Sequence, residues 1–168
     1  MYNEYNNRYS YNYGYGYPRK NRNNTVVDDE IMSLNAALEQ VKSSIGDEKK
    51  DELFYEQLIN MAPDESSRDI ISSIRDDEKK HNEILRFVYS NITGEVVESP
   101  DEKITLDEMT YIDSLEKAFL GEFAAVKKYR RIMGAMPNSK MHTLLMAIMT
   151  DEIRHASLYN YLIHKSMM

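Results

Sequence analysis

Apolar residues between positions 34 and 162 recur at alternating steps of three and four, the spacing that lines one face of an α-helix. Leu34, Leu38, Val41, Ile45, Tyr55, Ile59 and Ala62 form one stripe, and Ile71, Ile74, Leu85 and Val88 a second. A third runs through Ile112, Leu115, Phe119, Val126, Tyr129, Met133 and Met136, and a fourth through Leu145, Ile148, Tyr159 and Leu162. Strand-type alternation is absent. Pro63-Asp64 and Pro137-Asn138 mark turns into new helices, while Thr25 with Asp28, and Thr105 with Glu108, each fit a capping box. The pattern predicts four long helices, over 28–61, 64–90, 106–135 and 139–164. Thr93 to Lys103 holds Gly94, Pro100 and four acidic residues and reads as a loop. At ~3.3 Å per residue it spans a bundle roughly 40 Å long. Such a connection between two short-turn hairpins predicts an all-α four-helix bundle with a long crossover between helices two and three.

Each stripe is interrupted near its middle by groups that resist burial: Glu48 and Glu52, then Glu78 and His81, then Glu122, then Glu152 and His155. These residues also reveal a repeat. At an offset of 74, Glu48 matches Glu122, Tyr55 matches Tyr129, Pro63 matches Pro137 and Ile74 matches Ile148. Asp77-Glu78 matches Asp151-Glu152, and His81 matches His155. Two helical hairpins related by a pseudo-two-fold axis are predicted. Pro63 lies 15 residues from both Glu48 and Glu78, and Pro137 lies 15 from both Glu122 and Glu152. The glutamates of each antiparallel hairpin therefore sit side by side. Four carboxylates buried in one layer repel, at several kcal/mol each, unless neutralised. Two divalent cations supply the four missing charges, and oxygen and imidazole donors without thiolate suit iron or manganese. A lone Glu-x-x-His on a helix is usually a solvated pair. Two of them, each on an apolar stripe and matched to a glutamate by the same spacing, favour a dinuclear site.

Tyr55 and Tyr129 lie seven residues after Glu48 and Glu122, on the same face. They are read as donors that hold a ligand carboxylate in place, against the plainer role of core aromatics whose hydroxyls need a partner. Asp77 and Asp151 either accept the outer imidazole N–H of their own or the facing histidine, or are surface acids of an acidic helix. Asp51 and Glu52, matched by Ala125 and Val126, read as solvent-facing or as lining an access path, with an extra labile ligand as the alternative. The methionines from Met133 to Met149 read as core filling, and His142 and His164 as surface residues.

Composition narrows the classes. Asp plus Glu number 28 against 21 Lys plus Arg, a net charge of −7 that argues against phosphate-contact binding of nucleic acid. With no cysteine, disulfides, thiolate zinc sites, iron–sulfur clusters and cysteine nucleophiles are excluded. No apolar run is long enough to span a bilayer, and the N-terminus lacks the apolar stretch of a signal peptide, so a cytoplasmic protein is expected. Without export, the sequon Asn91-Ile92-Thr93 is read as chance. Residues 1–24 carry seven tyrosines, seven asparagines and four basic residues with almost no aliphatic side chain. They are expected to form a disordered, self-associating tail ahead of a bundle over 25–168.

The order Glu, Glu-x-x-His, Glu, Glu-x-x-His over residues 25–168 resembles the ferritin and rubrerythrin superfamily. The resemblance implies a ferritin-like bundle with a carboxylate-bridged di-iron centre that reacts with dioxygen or hydrogen peroxide. Glu48 and Glu122 would be terminal ligands, Glu78 and Glu152 bridges, and His81 and His155 one nitrogen ligand per iron. The chain lacks the rubredoxin-like Cys-x-x-Cys module, which implies an external electron donor, and Ala125 stands where rubrerythrins carry an extra glutamate. It also lacks the short fifth helix of cage-forming ferritins, so a homodimer is expected rather than a shell. Alongside an oxidase or peroxidase stand three alternatives: a manganese, catalase-like centre with two Mn ions, iron storage, and a spore-coat-type structural protein recruited through its tyrosine-rich tail.

Overall fold

The computed structural model describes residues 32–98 and 109–168, and only the backbone of Glu48 and Lys49. Among these residues the chain forms five helices and no strand: α1 (Leu34–Gly46), α2 (Glu48–Met61), α3 (Glu65–Thr93), α4 (Tyr111–Gly134) and α5 (Ser139–Lys165). Short polar side chains close four of the helix starts. Ser33 Oγ accepts from the Ala36 amide at 3.2 Å, Asp64 from Ser67 at 2.9 Å, Thr110 from Asp113 at 3.2 Å and Asn138 from Met141 at 3.1 Å. α3 ends at Gly94, whose φ of 76° is the left-handed conformation that glycine adopts without strain.

Two expectations about these elements are corrected. The helix expected over 28–61 is two helices, because Gly46 to Glu52 contains no apolar side chain to anchor a turn against the core. The ladder breaks at Asp47, whose ψ is −8°. The third helix starts at Tyr111, where Thr110 is capped with Asp113, and not at 106. The Thr105–Glu108 capping box lies outside the described residues, as do the 1–24 tail, the Thr25–Asp28 box and residues 99–103 of the expected crossover.

α1 and α2 pack on α3, and α4 packs on α5; the two pairs then meet through α3 with α5 and through α1 and α2 with α4. α3 and α4, consecutive in sequence, do not pack on each other among the described residues. The core forms two apolar clusters. One, around Val41, Ile45, Leu85, Val88, Ile132, Leu145 and Ile148, draws on α1, α3, α4 and α5. The other, around Leu58, Ile71, Ile74, Leu115, Tyr159 and Leu162, draws on α2, α3, α4 and α5. Each buried Leu or Ile contributes about 1.5–3 kcal/mol, so the two ends hold the bundle together. Between them every long helix turns polar. No helix among the described residues is long and apolar enough to cross a membrane.

Candidate metal centre

α3 brings Glu78 and His81 into the polar layer, α4 brings Glu122, and α5 brings Glu152 and His155. One ligand atom from each of Glu78, Glu122, Glu152 and His155 lies within 4.8 Å of the others. His155 is 0 % exposed, Glu152 2 %, His81 3 % and Glu122 6 %. The two bridge candidates have a distinctive geometry. Glu78 turns Oε2 to His81 Nδ1 at 3.4 Å and Oε1 to His155 Nδ1 at 3.1 Å. Glu152 does the same, with Oε1 at 3.6 Å from His81 Nδ1 and Oε2 at 3.8 Å from His155 Nδ1. Glu122 Oε2 stands 3.9 Å from His155 Nδ1. Its expected counterpart, Glu48, is the first residue of α2, but its side chain lies outside what the structure describes.

The outer faces of the two imidazoles meet aspartates of the facing helix. His81 Nε2–H donates to Asp151 Oδ2 at 3.2 Å, and His155 Nε2 lies 3.5 Å from Asp77 Oδ2. Of the roles weighed for these aspartates, partnership with the facing histidine is the one observed. An ionised carboxylate can only accept, so in the neutral ring it favours the proton on Nε2 and turns the Nδ1 lone pair inward. Both Nδ1 atoms and Glu78 Oε1 are buried without a hydrogen-bond partner. Buried polar groups left unpaired cost about 1–3 kcal/mol each, and these converge on one another. Glu78, Glu122, Glu152 and His155 form a buried donor set of oxygen and imidazole nitrogen that could hold a metal ion.

The same crowding sets the protonation of the cluster. Burial, then Glu152 and Glu78, push the Glu122 carboxyl far above the carboxylate range. Burial also opposes ionisation of Glu78, but His155 and His81 outweigh it and hold the group down, to about 2. For His155 burial favours the neutral ring, yet Glu152 and Glu78 raise it to about 9; His81 moves in the same direction, with Glu78 the main partner. Protons on these groups therefore supply the positive charge that cations would bring.

A cleft of about 760 Å³ opens onto the layer between α2, α3 and α4, and Glu152 is the contribution of α5 to its lining. Asp51 and Glu52 line it and are exposed. Although Asp51 keeps exposed surface, protein crowds it on the cleft side. Lost hydration, then Glu78 and Asp47, push its carboxyl up to about 7. Lys128 Nζ donates to Ser44 Oγ at 2.9 Å and lies 4.4 Å from the centre of the Tyr129 ring. Tyr55 and Tyr129 are buried on the cleft wall. Burial, and through space the acids of the cluster, push both phenols up and hold them un-ionised. His142 and His164 are exposed. Sequence reasoning missed Lys128, Tyr159 and Arg154. Arg154 had a signal, because its match at the 74-residue offset is another cation, Lys80. No protein family, no characterised protein and no solved structure matches the chain.

Proposed function

We propose that the chain is a ferritin-like dinuclear metal protein that binds two iron ions and reacts with dioxygen or hydrogen peroxide, drawing electrons from an external donor. The observation that carries this reading is that Glu78 and Glu152 each direct one oxygen to each histidine. Glu78 and Glu152 so placed would serve both cations, with His81, His155 and Glu122 as further ligands, and Glu48 would complete the set that the resemblance implies. The separation of α3 from α4 across the bundle supports a ferritin-like crossover. When bound, iron supplies the redox and Lewis-acid chemistry. The chain supplies the frame: Asp151 holds the His81 ring, Asp77 lies behind His155, the apolar clusters pack on either side of the layer, and the cleft offers an approach for a small oxidant.

Elemental analysis and anaerobic Fe(II) loading, followed by an optical spectrum on oxidation, test the proposal. Two metal ions per chain and a new near-ultraviolet band are expected, and two manganese ions in place of iron would select the catalase-like alternative. The loaded protein should also melt at a higher temperature than metal-free protein at pH 7. Protein that takes up neither metal, or melts identically in both states, overturns the reading.

A further inference from the structure

Arg154 reaches both aspartates that hold the histidines. Its Nη2 donates to Asp77 Oδ2, lies 3.4 Å from Asp151 Oδ1, and stands 3.4 Å from His155 Nε2. Lys80, its match in the other half, donates Nζ to Asp77 Oδ1 at 3.0 Å. The two aspartates are therefore not equivalent. Asp77 serves one cation with each oxygen, and His155 Nε2 is left at 3.5 Å from the oxygen that Arg154 has taken. Asp151 keeps Oδ2 for His81 at 3.2 Å and meets Arg154 only through Oδ1.

We infer that Arg154 makes the two metal positions unequal by competing with His155 for Asp77, so that the position served by His81 binds its ion more tightly and fills first. The inference rests on the dinuclear reading above. A carboxylate behind an imidazole raises the basicity of the ring nitrogen that faces the metal. One whose lone pairs are committed to a guanidinium and an ammonium accepts weakly, and Arg stays charged throughout. His155 therefore presents the poorer inward nitrogen, although its ring is completely buried. Arg154 acts through Asp77 as a positioning residue.

The test is a Co(II) titration of the metal-free full chain, followed by visible absorbance. Two separable steps are expected in the wild type. His155→Gln should keep the tighter step, and His81→Gln should lose it. Arg154→Leu should release Asp77 and tighten the weaker step by roughly ten- to a hundred-fold, narrowing the gap, whereas Arg154→Lys should preserve it. Asp151→Asn should weaken the tight step more than Asp77→Asn weakens the loose one, with helical content by circular dichroism unchanged. Two Co(II) ions bound with equal affinity in the wild type, or an Arg154→Leu variant that weakens both steps, would overturn the inference and leave the dinuclear reading standing. A wild type that takes up no Co(II) sinks both.

Discussion

The two hairpins carry the same polar residues at the same spacing on differently built scaffolds. In the second, α4 runs unbroken past Glu122, through Leu120-Gly121-Glu122-Phe123-Ala124-Ala125-Val126. In the first, the matching stretch is Gly46-Asp47-Glu48-Lys49-Lys50-Asp51-Glu52, and the helix divides into α1 and α2. The cleft is lined along this divided side, by Asp47, Lys50, Asp51 and Glu52. The repeat thus preserves the polar residues while leaving their surroundings free to differ.

The most drastic way to break the comparison removes the one residue of each half whose carboxylate reaches both histidines. Glu78→Ala combined with Glu152→Ala should lower metal content from two ions per chain to below one, measured by elemental analysis of folded protein. Full occupancy in that double variant would deny the two glutamates a shared role. A second comparison uses Ile74 and Ile148, matched by the repeat, both completely buried, and lodged in opposite apolar clusters. Each substitution to Ala should cost about 2–5 kcal/mol in urea unfolding, and similar values would show that the two ends bear the fold equally. At the break, an added Cβ on Gly46 meets nothing within 4 Å. Gly46→Ala should therefore stabilise the first hairpin by about 0.5–1 kcal/mol. A loss instead would show that the joint requires glycine.

The last comparison concerns Asp51, whose counterpart is Ala125. Its carboxyl is raised in the folded chain to about 7, from an ordinary value of 3.8, so between those values the folded state holds the extra proton. Stability from this group is present at low pH and is lost as pH rises through 7. Asp51→Asn should accordingly stabilise metal-free protein at pH 8 and make little difference at pH 4, read from melting curves at the two pH values.

How much was legible depends on which contacts are local. Glu78, His81, Glu122, Glu152 and His155 could be found because ligands on an apolar stripe obey helical spacing, and the equal arms about Pro63 and Pro137 set their level. The division at Asp47 was hidden by the same logic. Counting Glu48 and Glu52 as stripe members concealed that no apolar side chain lies between Ile45 and Leu53. Which aspartate would serve which histidine could not be read either, because Asp77 and Asp151 each stand four residues before the histidine of their own helix and only packing brings them to the facing one. Arg154, exposed by 47 % at its side chain, looks like an ordinary surface cation until α3 is set beside α5.

The placement of the two apolar clusters carries a further consequence for how the chain can come together. Neither cluster belongs to one hairpin: Val41 and Ile45 bury against Ile132, Leu145 and Ile148, and Leu58, Ile71 and Ile74 against Leu115, Tyr159 and Leu162. A hairpin separated from its partner would expose the part of its stripe that now meets the other half, and a helical pair of that size is hard pressed to offset its loss of chain entropy alone. What repeats along the sequence is therefore not an autonomous folding unit. Either half could persist only by pairing, with the other half or with another copy of itself.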